Sequence, residues 1–179
     1  MQIASVTAQG RGVADHLLDT TARTLANSGI RVLGALRPVR ADAEPGHCDS
    51  DLMLLPDGPV VQITQNLGAG STACRMDAAA LEDAVGRVMA RLDSQGADIL
   101  ILNKFGQSEA EGRGFRALIA QALGLGVPVL IGLSDTHRPA FERFTDGVAS
   151  TLPPDADSIL AWCHSATHPN DRPQDRSRP

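Results

Sequence analysis

Residues 99–102 read Ile-Leu-Ile-Leu, and Asn103-Lys104-Phe105-Gly106 follow directly. An unbroken apolar run of strand length does not alternate between a wet and a dry face. It therefore specifies a strand covered on both sides, as in a parallel sheet held between two layers of helices. The polar residues at its end then fall at the carboxyl edge of the sheet, where open α/β sheets take their ligands. Lys104 is also the sole lysine of the 179 residues, so a phosphate-loop lysine is excluded everywhere else in the chain.

The flanking pattern extends the α/β reading. Gln2 to Thr7 is β-prone, Gly10-Arg11-Gly12 is a turn, and Val13, Leu17, Leu18, Thr21 and Leu25 recur at helical spacing up to Ser28-Gly29. Ile30 to Leu36 is a second strand, which completes one βαβ unit. Residues 41–74 break the rhythm: Asp51 to Leu55 and Val60 to Thr64 flank Pro56-Asp57-Gly58-Pro59, the signature of an inserted β-hairpin. Asp77 then caps a helix whose apolar face is Leu81, Val85, Val88, Met89 and Leu92. The strand Asp98 to Asn103 follows, then a helix from Glu111 to Leu123 ended by Gly124 and Gly126, and a strand from Pro128 to Leu133. Arg138 to Phe144 reads as a short helix, Val148 to Leu152 as an edge strand, and Pro154 to Cys163 as a last helix with Trp162 turned to the core. One domain over residues 1–164 and a disordered Pro/Arg-rich tail over 165–179 account for the whole length.

Composition excludes several classes of function. Sixteen basic against 21 acidic residues give a net charge of −5, with no run of like charges long enough to make a binding tail and no aromatic residues interleaved with basic ones, so no nucleic-acid partner is expected. The apolar runs fall far short of the roughly 20 residues that span a bilayer, and the amino terminus lacks the pattern of a secretory signal. A cytoplasmic protein with no membrane partner is the expectation. Cys48, Cys74 and Cys163 are too few and too widely spaced for a disulfide framework. His47-Cys48 and Cys163-His164 are adjacent pairs, unlike the spaced ligands of structural zinc, and no metal site is assigned.

Four segments carry polar groups toward the carboxyl edge. Thr7 to His16 occupies the position of a phosphate loop, which needs Gly-x4-Gly-Lys-Ser/Thr so that amides cradle phosphates, lysine reaches the outer ones and the hydroxyl holds Mg²⁺. Here the lysine and the hydroxyl are missing, which leaves Gly10, Arg11 and Gly12 as either an anion nest or a plain tight turn. After the apolar strand, an acidic pair would hold the metal and position water, and Asn103-Lys104 stands there instead. Glu109, Glu111 and Arg113 follow, and Lys104 either pairs with one of these glutamates or faces a ligand. Gly68, Gly70, Ser71, Thr72 and Arg75 offer backbone donors, hydroxyls and a guanidinium suited to a tetrahedral oxyanion, or else a flexible connection. His137, after the strand Pro128 to Leu133, is either a proton carrier or an exposed loop residue, and His16 reads as a surface residue.

With these residues in order, the chain resembles the small nucleoside-triphosphatase family of thermophiles and vertebrates. In that family the corresponding strand ends in Asp-Glu-Ile-Gly-x-Met-Glu; Gly106 and Glu109 match while the acidic pair is replaced. The resemblance implies a doubly wound, mostly parallel sheet of phosphate-loop type with an inserted hairpin, over roughly residues 1–160. By Gln65-Asn66-Leu67-Gly68, Cys74-Arg75-Met76-Asp77 and Asn103-Lys104-Phe105-Gly106 to Gly114-Phe115-Arg116, the chain is identified more closely as a member of the uncharacterised bacterial family called domain of unknown function 2478. That family's association with molybdenum metabolism and molybdate transport implies a small anionic ligand, a nucleotide or a molybdate-like oxyanion. Lys104, Asn103, Arg11 and Arg75 would supply charge and donors, with Glu109 and Glu111 orienting them. Two alternatives stay open: a triphosphatase in which Lys104 replaces the loop lysine and Glu109 activates water, and a silent module that contacts a second copy of itself or an accessory protein.

Overall fold

The computed structural model describes residues 2–39, 51–65 and 75–168. Seven strands form the main sheet: β1 (Ile3–Val6), β2 (Val32–Leu36), β3 (Asp51–Leu55), β4 (Val60–Gln62), β7 (Ile99–Phe105), β8 (Val129–Leu133) and β9 (Ser150–Leu152). Their order is β4-β3-β2-β7-β8-β1-β9. The five strands from β2 to β9 run parallel, and the β3–β4 hairpin adds two antiparallel strands at one edge. A two-stranded ladder of β5 (Thr64–Gln65) and β6 (Arg75–Met76) stands apart. Among the described residues there are six α-helices, α1 (Val13–Asn27), α2 (Ala78–Gln95), α3 (Gln107–Ala110), α4 (Arg116–Gly124), α5 (Arg138–Thr145) and α6 (Ala156–Thr167), and one 3-10 turn, Asp135–His137.

Burial follows the sequence pattern. Ile99 to Leu102 are fully buried because successive side chains point to opposite faces of the sheet and both faces are covered. Ile99 and Ile101 pack with Leu18, Ala22 and Leu25 of α1 and Ile159 and Cys163 of α6, with Trp162 against the same layer. Leu100 and Leu102 pack with Leu81, Val85 and Val88 of α2, Leu118 and Ile119 of α4 and Phe141 of α5. Each such aliphatic side chain contributes about 1.5–3 kcal/mol by leaving water. Burial also pushes the Cys163 thiol up to about 12, which makes it a packing residue and not a nucleophile.

The amino edge of the sheet is tied by charge. The Arg31 amide donates to Asp98 Oδ2 at 2.8 Å and its guanidinium to Oδ1 at 2.6 Å, joining the start of β2 to the start of β7. The Arg31 hydrogen bonds hold the Asp98 carboxyl below the usual carboxylate range. At the same edge Gln2 Nε2 lies 3.5 Å from the carbonyl of Ala166, so the first and last described elements end side by side.

Asp77 caps α2 as expected, accepting from the amides of Ala79 and Ala80 at 3.0 and 3.1 Å. Two boundaries differ. The helix expected over 111–123 begins only at Arg116, because Gly112 and Gly114 take φ of +87° and +58° and the Glu109 carboxylate captures the Phe115 amide at 3.0 Å. The last helix runs to Thr167, past the boundary expected at 165, with residues 169–179 outside the described ones.

Candidate functional site

At the carboxyl end of β1 the chain turns at Thr7. Its hydroxyl donates to the carbonyl of Leu133 at 2.8 Å and accepts from Arg138 at 3.1 Å, which ties the start of the loop to the end of β8. Gly10 and Gly12 then take φ of +96° and +76°, a region where a Cβ is disfavoured, so glycine is required at both turns. Gly12 is the residue before α1 and offers no side chain to cap it. The first-turn amides of the helix thus open beside the loop, with the positive end of its dipole.

The positions after Gly12 that a phosphate loop fills with lysine and a hydroxyl are Val13 and Ala14. At the other half of such a site stand Asn103 and Lys104, an amide and an ammonium. Mg²⁺ is a hard cation held by hydroxyl and carboxylate oxygens, and this donor set does not fit it. Among the described residues no group of three His, Cys, Asp or Glu side chains converges to hold a metal ion.

Asn103 and Lys104 form a bulge. Leu102 pairs with Ile131 and Phe105 with Leu133, so β7 holds one residue more than β8 across this interval. The carbonyl of Asn103 closes on Gly132, where an added Cβ would stand 2.1 Å from it; only glycine admits that approach. The bulge turns Asn103 Oδ1 to the amide of Arg37 at 3.3 Å and leaves Lys104 exposed. Lys104 has no hydrogen bond or ion pair among the described residues.

Of the two readings of Lys104, the pairing with Glu109 or Glu111 is not formed. Glu109 is 4% exposed, and its two oxygens accept the amides of Gly106 at 2.9 Å and Phe115 at 3.0 Å. It is a fastener for the loop after β7 and not an orienting partner of Lys104. Glu111 bonds Gln107 and Arg113 on the exposed side of the same loop, and the Gln107 donor, helped by Arg113, holds its carboxyl low. Neither Glu111 nor Arg113 lines the cavity at the carboxyl edge.

That cavity, of about 430 Å³, lies between the Thr7–Gly12 loop, the ends of β2, β7 and β8, and the first turn of α1. It brings together Gly10, Arg11, Gly12, Asn103 and Lys104 from the expected set. Gly68, Gly70, Ser71 and Thr72 lie outside the described residues, as do His47, Cys48 and Cys74, and of Arg75 the strand β6 fixes the backbone. Sequence reasoning passed over Arg37 and Asp15, which pair at 3.6 Å at the edge of the cavity, and Thr7, Ser134 and Asp135, which line it. Arg37 follows an apolar strand just as Lys104 does, and that shared signal was available. His137 hydrogen-bonds Ser134 Oγ through Nδ1 at 2.9 Å within one short turn, and His16 is exposed.

A mostly parallel sheet with helices on both faces, and a glycine loop leading from β1 into α1, define the fold of the phosphate-loop nucleoside triphosphatases. The solution structure of a human cancer-related nucleoside triphosphatase is similar to it with a TM-score of 0.64 at 13% identity, over 96% of this chain and 100% of that one. The chain belongs to the family described as protein of unknown function, DUF2478, whose profile matches residues 3–162. It is also similar to a molybdenum import ATP-binding protein, ModC 2, of Bradyrhizobium diazoefficiens, at 32% identity over 161 residues. That match covers 90% of this chain and 18% of the relative, so the chain spans less than a fifth of that protein's length. Among the described residues no helix is long and apolar enough to cross a membrane.

Proposed function

We propose that the protein binds an anionic ligand in the carboxyl-edge cavity, with a nucleotide favoured over a bare oxyanion. The observation that carries the reading is Lys104: the only lysine of the chain, set on a bulge at the cavity wall with no partner among the described residues. An ammonium with no partner among the described residues, while the neighbouring charges Glu109, Glu111 and Arg113 are satisfied within their own loop, is placed to meet an anionic ligand. Arg11, the Gly10–Gly12 turn and the start of α1 add donors on the opposite wall. A cavity of about 430 Å³ suits a ligand of nucleotide size, whereas a lone tetrahedral oxyanion would fill a small part of it. Molybdate is the second ligand to test, because the similar bacterial protein is a molybdenum import ATP-binding protein.

Hydrolysis is not part of this reading. Val13 and Ala14 replace the groups that reach the phosphates and metal, and both oxygens of Glu109 are engaged by backbone amides. Calorimetric titration of the full chain with ATP, GTP, phosphate, molybdate and tungstate tests the proposal. Binding of at least one, weakened tenfold or more by Lys104→Ala, is expected. No heat with any of the five would sink it, and unchanged affinity in Lys104→Ala would remove Lys104 from the site.

A further inference from the structure

The carboxyl-edge cavity is lined by a carboxylate as well as by cations. Asp15, in the first turn of α1, has a side chain only 19% exposed, and its charge opposes any anion that enters. Arg37 answers that charge from the edge of β2, with Nη1 at 3.6 Å from Asp15 Oδ2. The pair is loose. Arg23 with Asp19, Arg31 with Asp98, Arg87 with Asp83 and Arg138 with Asp135 close to between 2.6 and 2.9 Å, within hydrogen-bond range, and 3.6 Å lies beyond it. Arg91 with Asp57 is equally wide, but there the carboxylate stands 85% exposed in solvent.

The backbone of Arg37 is set beside Lys104. Ala35 of β2 pairs with Leu102 of β7, so Arg37 and Lys104, each two residues further on, reach the same level of the sheet. The Arg37 amide donates to Asn103 Oδ1 at 3.3 Å. Its guanidinium thus starts from a fixed point at the cavity and faces a carboxylate too distant to bond. A phosphoryl group offers a guanidinium two parallel charge-assisted bonds of about 2.7–2.9 Å, which this carboxylate does not. We propose that Asp15 occupies Arg37 in place of the ligand, and that the guanidinium passes from Asp15 to a phosphoryl group when the ligand binds. Arg37 is then the second cation of the site, and Asp15 an internal competitor that only a stronger anion displaces. The inference rests on the anion-binding reading and adds to it this exchange of partners. A carboxylate at the start of a helix also favours the helix dipole, a role that bears on folding alone, so the test reads affinity.

The full chain is titrated calorimetrically with ATP and with tripolyphosphate, in the parent, Asp15→Asn, Arg37→Ala and the double variant. Asp15→Asn removes the charge and keeps the shape, and it should tighten both probes fivefold or more. Arg37→Ala should weaken both fivefold or more. The gain from Asp15→Asn should shrink at least threefold in the Arg37→Ala background, where no guanidinium is left to release. Affinity unchanged or lowered in Asp15→Asn, or unchanged in Arg37→Ala, would overturn the exchange. A gain of equal size in both backgrounds would reduce Asp15 to plain repulsion and overturn it as well. Each of these results leaves the anion reading standing, since the parent still binds. Binding that emerges only in Asp15→Asn would support the competitor directly, and no binding of either probe by any of the four proteins would remove both readings for phosphate chains.

Discussion

Asp98 precedes strand β7 and Lys104 lies near the strand's far end, one at each edge of the sheet, and their surroundings differ in kind. Asp98 meets Arg31 through the amide and the guanidinium together, so charge at the amino edge is answered within the protein. At the carboxyl edge the strand bulges, the neighbouring carboxylates are spent on their own loop, and Lys104 stands alone among the described residues. The first arrangement ties strands together. The second holds a charge in place at some cost in local regularity.

The contrast breaks most severely at Gly132. Gly132→Ala drives a Cβ toward the Asn103 carbonyl, and a stability loss of at least about 3 kcal/mol is expected by denaturant unfolding, together with loss of ligand binding in whatever remains folded. A stable Gly132→Ala protein would mean that the bulge is not required. Glu109→Ala comes next. It leaves the amides of Gly106 and Phe115 unpaired in a buried loop, a cost of about 2–4 kcal/mol. If Glu109 were instead a free reactive carboxylate, its removal would leave the melting temperature near that of the parent.

Lys104→Ala sharpens the comparison by separating function from stability. Unfolding free energy should change by no more than about 0.5 kcal/mol, while affinity for the anion that binds falls tenfold or more. Asp98→Ala should do the reverse: a drop of about 2–4 °C in melting temperature, small because the pair is partly exposed and screened, with ligand affinity untouched. Its pH dependence has a definite sign. The folded-state carboxyl sits below its ordinary value of 3.8, so the contribution is complete above that pH and disappears as pH falls through the lower folded value. The gap between the parent and Asp98→Ala in thermal melts should therefore be constant from pH 7 to about 5 and close on acidification below about 4.

What could be read in the sequence was whatever a local segment decides. The apolar run 99–102, the Pro-Asp-Gly-Pro turn and the Asp77 cap each depend on neighbours within a few residues, and each stands in the structure at its expected place. The bulge could not be read that way, because Gly132 lies on another strand, and its missing Cβ matters only once β8 pairs with β7. The helix expected from Glu111 failed for a similar reason: its periodicity was sound, but a carboxylate six residues before Phe115 claims the amide that the helix would have used. Lys104 and Gly10 to Gly12 were recognisable as polar groups at strand ends. Arg37 acquires meaning only where the end of β2 meets β7 and the loop after β1.

The closeness of Gln2 to Ala166 bears on how such a unit joins other polypeptide. Entry and exit lie together at the amino edge, opposite the cavity, as in modules that are inserted or appended without rearrangement. Both points stand at the far end of the sheet from Lys104. A stretch similar to this chain makes up 18% of the much longer molybdenum import ATP-binding protein of Bradyrhizobium diazoefficiens.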